Sequence, residues 1–282
     1  MCLYLANADE ALAQSSPGSR HFLWRVVNAP APFYLLGSVH ALKKTDYPLP
    51  HVVEDAARQS RVMLFEMDPN QNATFHRLIY NSARYPKGIT IRDKVHPETY
   101  AYLQKIFKKS RVNLNPYNTL RPWAIAIAMY KVPGFQGVLH SEGVDEHLLQ
   151  MARAEHKKLG GLESAAAHAA VFGGMSDEES EVVLLRSIIY GDIESAEYAS
   201  DVAAWKAGDT SRVWNNDTRF RIDAPSIHQR LVEQRNSAWI PAIETAIKAG
   251  QPTIVIAGAL HFCGPHGLPA LLQARGYKLQ QL

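Results

Sequence analysis

The chain has 282 residues, of which 46% are apolar and 20% charged, and its formal net charge is +3. This length suffices for one large domain with a substantial core or for two small ones. The small net charge, without a concentrated basic patch, argues against a nucleic-acid partner. No run approaches the roughly 20 apolar residues of a membrane helix, so we expect no transmembrane anchor.

The first 20 residues differ in composition from the rest of the chain. They are rich in Ala and Leu, and Ala11-Leu12-Ala13 has the small-x-small form of a signal-peptidase site. A basic start is absent, and Asp9 and Glu10 interrupt the apolar run. The interpretation we favour is a signal-peptide remnant, which predicts export to the periplasm or the cell exterior. The alternative is a disordered N-terminus. Either way, the folded domain is predicted to span 21–282.

The folded part begins with β structure. Short apolar or alternating runs at 22–27 and 33–36 flank a Pro-containing connection at 28–32, which predicts a hairpin. A short helix at 52–60 follows. The apolar run 61–67 then ends in acidic residues and is typical of a buried strand.

The middle of the chain is predicted to be helical. Apolar residues recur there at spacings of three and four, and several segments begin with Pro, Asp or Ser. A short strand at 158–161 interrupts the series. The predicted helices cover 69–83, 97–109, 116–130, 144–156, 165–172, 177–190, 193–206 and 226–249.

The end of the chain returns to alternating strands and helices. A β-branched strand at 253–257 precedes a helix at 268–274 and a final strand at 277–280. The strand at 253–257 is too apolar to lie anywhere but in the interior of a sheet. We therefore predict an α/β fold, in which N- and C-terminal strands form one mixed central sheet with a large helical insertion.

Two segments of the pattern Gly-x-x-His follow predicted strands at opposite ends of the chain, and they end at His40 and His261. Ligands gather at the carboxyl ends of strands in open α/β sheets. A neutral imidazole is a natural ligand for divalent transition metals. A histidine in such a place can equally cap a helix or bond to backbone inside the core. The matched pair is what favours a site.

An acidic residue ends a third apolar strand. Glu66 follows Met63-Leu64-Phe65, and Asp68 is the fallback candidate two residues on. Two histidines and one carboxylate form a common open coordination set in hydrolytic metal sites. Glu66 is therefore predicted to be a metal ligand, a general base or half of an ion pair.

Further polar candidates lie in or beside predicted helices. Arg235 could pair with Glu66 or stabilise a developing oxyanion, and Asn236 is its neighbour. Surface exposure would explain Arg235 equally well. Asp145 and Glu163 each follow a glycine by two residues and open a helix, so N-capping accounts for both.

The order of these motifs resembles the TraB/GumN family, which includes the Tiki proteases. The resemblance runs from Phe22 to Leu282, and its most specific parts are the two Gly-x-x-His motifs flanking an early glutamate. The matching segments are GSVH at 37–40, FEMD at 65–68, LRPW at 120–123, GVDEHLLQMA at 143–152, GLES at 161–164, RN at 235–236 and GALHFCGPHGLPALL at 258–272.

The resemblance implies a metal-dependent peptidase acting on a peptide or protein substrate. His40, His261 and Glu66 would hold a divalent ion such as manganese, cobalt or zinc. Glu66 would alternatively act as a general base, while Arg235 and Asn236 would line the catalytic site. Asp145 and Glu163 match acidic positions to which no role is assigned.

Related folds keep two alternatives open. The family is similar to erythromycin-esterase-like and ChaN-like proteins, which are α/β folds with helical insertions. The first similarity allows a metal-independent esterase with histidine as base. The second allows a non-catalytic protein that binds a peptide, a metal or haem.

Overall fold

The computed structural model describes residues 20–40, 42–129, 143–190 and 196–282. The predicted N-terminal segment lies almost entirely outside these ranges. The predicted hairpin is confirmed, because β1 (Leu23–Val26) pairs antiparallel with β2 (Phe33–Ser38). A helix, α1 (His51–Gln59), then leads into β3 (Val62–Met67), as expected.

One mixed sheet unites the two ends of the chain. Its remaining strands are β4 (Lys158–Glu163), β5 (Thr253–Gly258) and β6 (Leu279–Gln281). The spatial order is β4-β3-β5-β2-β1-β6. The pairs β4–β3, β3–β5 and β5–β2 are parallel, whereas β1 is antiparallel to both neighbours. The predicted mixed sheet is thus confirmed, with the apolar strand β5 at its centre.

The helices between β3 and β4 form the first part of the helical insertion. They are α2 (Asn72–Ser82), α3 (Pro97–Lys109), α4 (Pro122–Met129) and α5 (Val144–Ala154). The predicted helix 116–130 is wrong in its first half, where a 3-10 turn at Asn115–Tyr117 comes first. The physical reason is Pro122, which disfavours helical backbone at the residue before it and therefore makes a helix start.

The second part of the insertion lies between β4 and β5. Its helices are α6 (Ala165–Gly173), α7 (Asp177–Tyr190), α8 (Ala196–Lys206), α9 (Thr210–Asn216), α10 (Thr218–Asp223), α11 (Pro225–His228) and α12 (Gln234–Lys248). The short α9 and α10 were not predicted, since seven and six residues give too little periodicity. A π-helical turn, Gln229–Glu233, joins α11 to α12. After β5, α13 (Leu268–Gln273) leads to β6.

The main core lies on both faces of the sheet. The β5 residues 254–257 are completely buried, and Trp239 and Ile243 of α12 pack against the sheet. Two smaller apolar clusters hold the helical insertion together. Within the described residues, none of the helices has both the length and the apolar character needed to cross a lipid bilayer.

Candidate active site

The parallel strands bring the predicted site segments to one edge of the sheet. Ser38 at the end of β2 lies opposite Gly258 at the end of β5. The Gly258 amide donates a hydrogen bond of 2.8 Å to Oε1 of Glu66 at the end of β3. The segments that follow these strands carry His40 and His261. All three therefore meet where open α/β sheets hold ligands.

The second Gly-x-x-His segment places His261 in the interior, with 6% of its side chain exposed. Asn236 of α12 is completely buried, and its Nδ2 donates to the backbone oxygens of His261 (3.1 Å) and His266 (2.8 Å). Its Oδ1 is therefore left to accept from Nδ1 of His261, at 2.6 Å. This tautomer leaves the lone pair on Nε2 of His261, which faces Nη1 of Arg235 at 3.3 Å. Burial lowers the pKa of His261 to about 4.

The first Gly-x-x-His segment gives His40 a different environment. Its Nδ1 lies 3.2 Å from Oδ2 of Asp145, whose Oδ1 accepts a 2.6 Å hydrogen bond from the Ser38 hydroxyl. The hydrogen bond between His40 and Asp145, together with the negative charge of Asp145, raises the pKa of His40. Water screens part of the attraction, because 78% of the His40 side chain is exposed.

A glycine brings Asp145 to His40. A Cβ atom at Gly143 would lie 2.5 Å from the His40 carbonyl oxygen, so only glycine permits this approach. The amide of Val144 donates to the carbonyl of Val39 at 3.0 Å, which fixes the start of α5 against the end of β2. Asp145 on the first turn of α5 then reaches the His40 ring.

Arg235 of α12 is the central cation of the site. Its Nη2 lies 2.6 Å from Oε2 of Glu66 and 2.6 Å from Oε1 of Glu163, while its Nη1 lies 3.3 Å from Nε2 of His261. The guanidinium stacks 4.5 Å from the ring centre of Trp239. The indole N–H of Trp239 donates to Oε2 of Glu163 at 3.0 Å. These contacts fix both carboxylates in a largely buried pocket.

The two buried carboxylates are held ionised. Burial opposes the charge on Glu66, but Arg235, the two histidines and the Gly258 amide outweigh it, so its pKa lies well below its usual range. For Glu163, hydrogen bonds from His168 and Arg235 likewise outweigh burial and lower its pKa. Both are therefore acceptors, not proton donors, at neutral pH.

His168 of α6 completes a second donor set. Atoms of Glu66, Glu163 and His168 lie within 4.8 Å of one another, which would suit a cation. Nη2 of Arg235 is already among them, 3.2 Å from Nδ1 of His168. The guanidinium occupies this set and offsets one of its two negative charges, so a metal ion would have to displace it.

The three residues predicted to be metal ligands line the face of Gly258. A Cβ atom on Gly258 would lie 3.7 Å from Nε2 of His40, 3.5 Å from Oε1 of Glu66 and 3.7 Å from Cδ2 of His261. These are ordinary van der Waals distances, and the His261 ring presents a carbon atom there. Among the described residues, only Glu66, Glu163 and His168 bring three such ligand atoms within 4.8 Å of one another, so His40 and His261 would have to move closer to Glu66 to share an ion. Both histidines also have an oxygen acceptor on Nδ1, the arrangement that orients Nε2 of metal-bound histidines.

The residues predicted from sequence are not equally close to the chemistry. Asn236 holds His261 and is itself buried away from solvent. Asp68, the fallback acid, accepts from the amide of Asn70 and caps a 3-10 turn instead. Roles that sequence reasoning missed belong to Ser38, Asp145, Glu163, His168 and Trp239. Only the glycine before each acid hinted at the two carboxylates.

The fold and this site define a class: an α/β protein with a histidine and carboxylate centre at the carboxyl ends of parallel strands. The sequence profile of the TraB/PrgY/gumN family matches residues 22–281. The chain belongs to this family.

Two curated relatives cover nearly the whole chain. "Uncharacterized protein YbaP" from Escherichia coli (strain K12) is 25% identical over 259 residues, which is 90% of this chain and 94% of the relative. The protein of the same name from Shigella flexneri gives the same identity and coverage. No solved structure matches the chain.

Proposed function

We propose that this protein is a metal-dependent hydrolase that cleaves peptide bonds in a peptide or protein substrate. One observation carries the proposal. Nε2 of His40, Oε1 of Glu66 and the His261 ring converge on the face of Gly258, and each histidine has an oxygen acceptor on its Nδ1. Two histidines and one carboxylate with open positions are the donor set of hydrolytic metal centres.

The chain's own residues divide the work. His40, His261 and Glu66 would hold a divalent ion such as manganese, cobalt or zinc, which when bound supplies Lewis-acid activation of water and carbonyl. Asp145 and Asn236 orient the two imidazoles through Nδ1. For Glu66 to act instead as the general base, its Oε2 would have to leave Nη2 of Arg235, because that ion pair keeps its pKa low.

Arg235 supplies fixed positive charge beside the substrate carbonyl. Its guanidinium is held on three sides by Glu66, Glu163 and the Trp239 ring, so it needs no reorganisation during the reaction. Nη1 lies on the His261 side and would stabilise the developing oxyanion.

The first experiment measures metal content and peptide hydrolysis together. Protein purified without a metal-affinity tag is analysed by mass spectrometry, beside the double variant His40→Ala/His261→Ala. We expect near-stoichiometric metal in the wild type, loss of metal in the variant, and chelator-sensitive cleavage in a peptide library. The matched control is His51→Ala, an exposed histidine at the start of α1. Failure to bind any divalent ion after reconstitution would refute the proposal.

A metal-independent hydrolase is the second candidate. The observation that favours it is the His40–Asp145 pair, since an acid that orients a histidine through Nδ1 leaves Nε2 to act as a base. Hydrolysis that resists chelators but is abolished by His40→Ala would establish this candidate. Tight metal binding with no turnover of any peptide or ester would instead indicate a binding protein.

A further inference from the structure

The helix that carries Arg235 contains one wide turn directly before it. The amide of Gln234 donates to the carbonyl of Gln229, five residues earlier, so the turn Gln229–Glu233 is π-helical. An α-helix advances about 100° per residue, and one additional residue in a turn rotates everything that follows by about this amount. The wide turn therefore decides which side of α12 faces the carboxylates of the site. π-helical turns are rare in proteins as a whole, and those that occur are often found at functional sites.

A pair of side chains spans this turn. Nδ1 of His228 lies 3.4 Å from Oε1 of Glu233, five residues further along the chain. In a regular α-helix, residues five apart point about 140° away from each other. The two side chains can meet only while the turn is wide, so their contact stabilises the π-helical form over the α-helical one.

The opposite edge of the His228 ring is fixed as well. Its Nε2 lies 3.6 Å from Oδ2 of Asp217, and neither atom has a hydrogen-bond partner among the described residues. Asp217, between α9 and α10, is itself paired with Nη2 of Arg186 at 3.0 Å. Only 2% of the His228 side chain is exposed. The ring is thus held between the helical insertion and the wide turn.

Arg235 contacts the wide turn directly. Its Nη1 donates to the carbonyl of Leu231, inside the turn, at 3.1 Å. The same nitrogen lies 3.3 Å from Nε2 of His261. The position of the turn and the position of the guanidinium in the site are therefore coupled through one hydrogen-bonding group.

We infer that His228 and Glu233 are positioning residues for Arg235, because their contact across the π-helical turn aims the guanidinium at Glu66, Glu163 and His261. The expected effect on catalysis rests on the proposed function, whereas the expected effect on the position of the guanidinium does not. Neither residue touches the site carboxylates, and the action runs through the helix backbone.

The test compares three variants of the full chain. Glu233→Ala removes the contact, Glu233→Gln keeps an oxygen that can accept from Nδ1 of His228, and Glu244→Ala is the matched control. Glu244 lies on the same helix and pairs only loosely with Arg275, at 3.9 Å. The readout is the NMR signal of the Arg235 Nε–H group, which donates to Glu163. Arg235→Lys identifies this signal.

We expect the Arg235 signal to shift or vanish in Glu233→Ala and to keep its wild-type position in Glu233→Gln and Glu244→Ala. If the chain hydrolyses peptides, kcat should fall about 10- to 100-fold in Glu233→Ala, with little change in KM. An unmoved signal in Glu233→Ala, or an equal shift in Glu244→Ala, would overturn the inference. A shifted signal in a protein without hydrolase activity would refute the proposed function and leave the positioning role intact.

Discussion

The two Gly-x-x-His segments have the same pattern and begin at the ends of neighbouring parallel strands, yet they give their histidines opposite environments. His40 is largely exposed and faces the carboxylate of Asp145, which raises its pKa. His261 is buried and faces the neutral amide of Asn236, and burial lowers its pKa to about 4. The partner and the burial, not the motif, determine the charge of each ring. One half-site is therefore predisposed to hold a proton and the other to remain a neutral ligand.

Arg235→Met is expected to have the largest effect on stability, and it acts on the buried half of the site, around His261. It leaves the carboxylates of Glu66 and Glu163 without their shared cation, and removing one partner of a buried ion pair costs about 3–5 kcal/mol. Urea unfolding measures the loss. The control is Arg58→Met, whose partner Glu54 lies one helical turn away and whose side chain is 60% exposed, with an expected cost below about 1 kcal/mol. Equal losses in the two variants would contradict the central role of Arg235.

Exchanging the partners tests the comparison itself. Asn236→Asp removes two donors to backbone carbonyls in the interior, so we expect a loss of about 2–3 kcal/mol and a higher pKa of His261. Asp145→Asn keeps an oxygen for His40 at a partly exposed position. We therefore expect the free energy of unfolding to fall by under about 1 kcal/mol and the pKa of His40 to lie nearer 6.5. Thermal or urea unfolding with histidine NMR measures both. The comparison would be wrong if Asp145→Asn were the more damaging change.

Titration of metal-free protein should show one histidine with a raised pKa and another with a lowered pKa. The pKa of His40 lies above 6.5, so its contribution to stability is complete below pH 6.5 and is lost as the pH rises through the folded value. The pKa of His261 lies near 4, so its contribution is complete above pH 6.5 and is lost as the pH falls through about 4. NMR measures both midpoints. Coincident midpoints would show that the two environments are equivalent.

Ser38→Ala is the mildest test. The Ser38 hydroxyl donates to Asp145, which in turn faces His40, so its removal loosens the exposed half only. We expect a stability loss of about 0.5 kcal/mol and a metal affinity about tenfold weaker. Calorimetric metal titration checks the affinity. Unchanged metal affinity in Ser38→Ala would show that the Asp145 carboxylate does not need this hydrogen bond for its orientation.

Sequence reasoning was strongest where the signal was local. The apolar strands, the hairpin and the two Gly-x-x-His segments are each contained in a few adjacent residues, and the sheet that they predict is confirmed. Among contacts between distant residues, the pairing of Arg235 with Glu66 was proposed from sequence and is observed, whereas the contact of Ser38 with Asp145 had no sequence signal. Ser38 meets Asp145 over 107 positions, and Arg235 meets Glu66 over 169. Capping was the predicted role of Asp145 and Glu163, and this prediction is wrong: the N-caps are Gly143 and Ser164, and Glu163 is the last residue of β4.

The π-helical turn was also beyond sequence reasoning. The residues 229–233 have the apolar spacing of an ordinary helix, and the predicted helix 226–249 ran straight through them. The wide turn lies beside the contact of His228 with Asp217, a residue outside this helix, and such a tertiary contact leaves no local pattern in the sequence. Element type was therefore predictable here, whereas helical phase was not.

The central strand of the sheet is synthesised after both of its neighbours. β5 lies between β2 and β3, and β6 near the C-terminus pairs with β1 near the N-terminus. While the chain grows on the ribosome, β2 and β3 have no strand between them, and His40 and Glu66 have no His261 beside them. A nascent chain therefore cannot assemble this centre piece by piece. The site is complete only once β5 and His261 have left the ribosome, so a translation product that stops before β5 lacks its buried histidine.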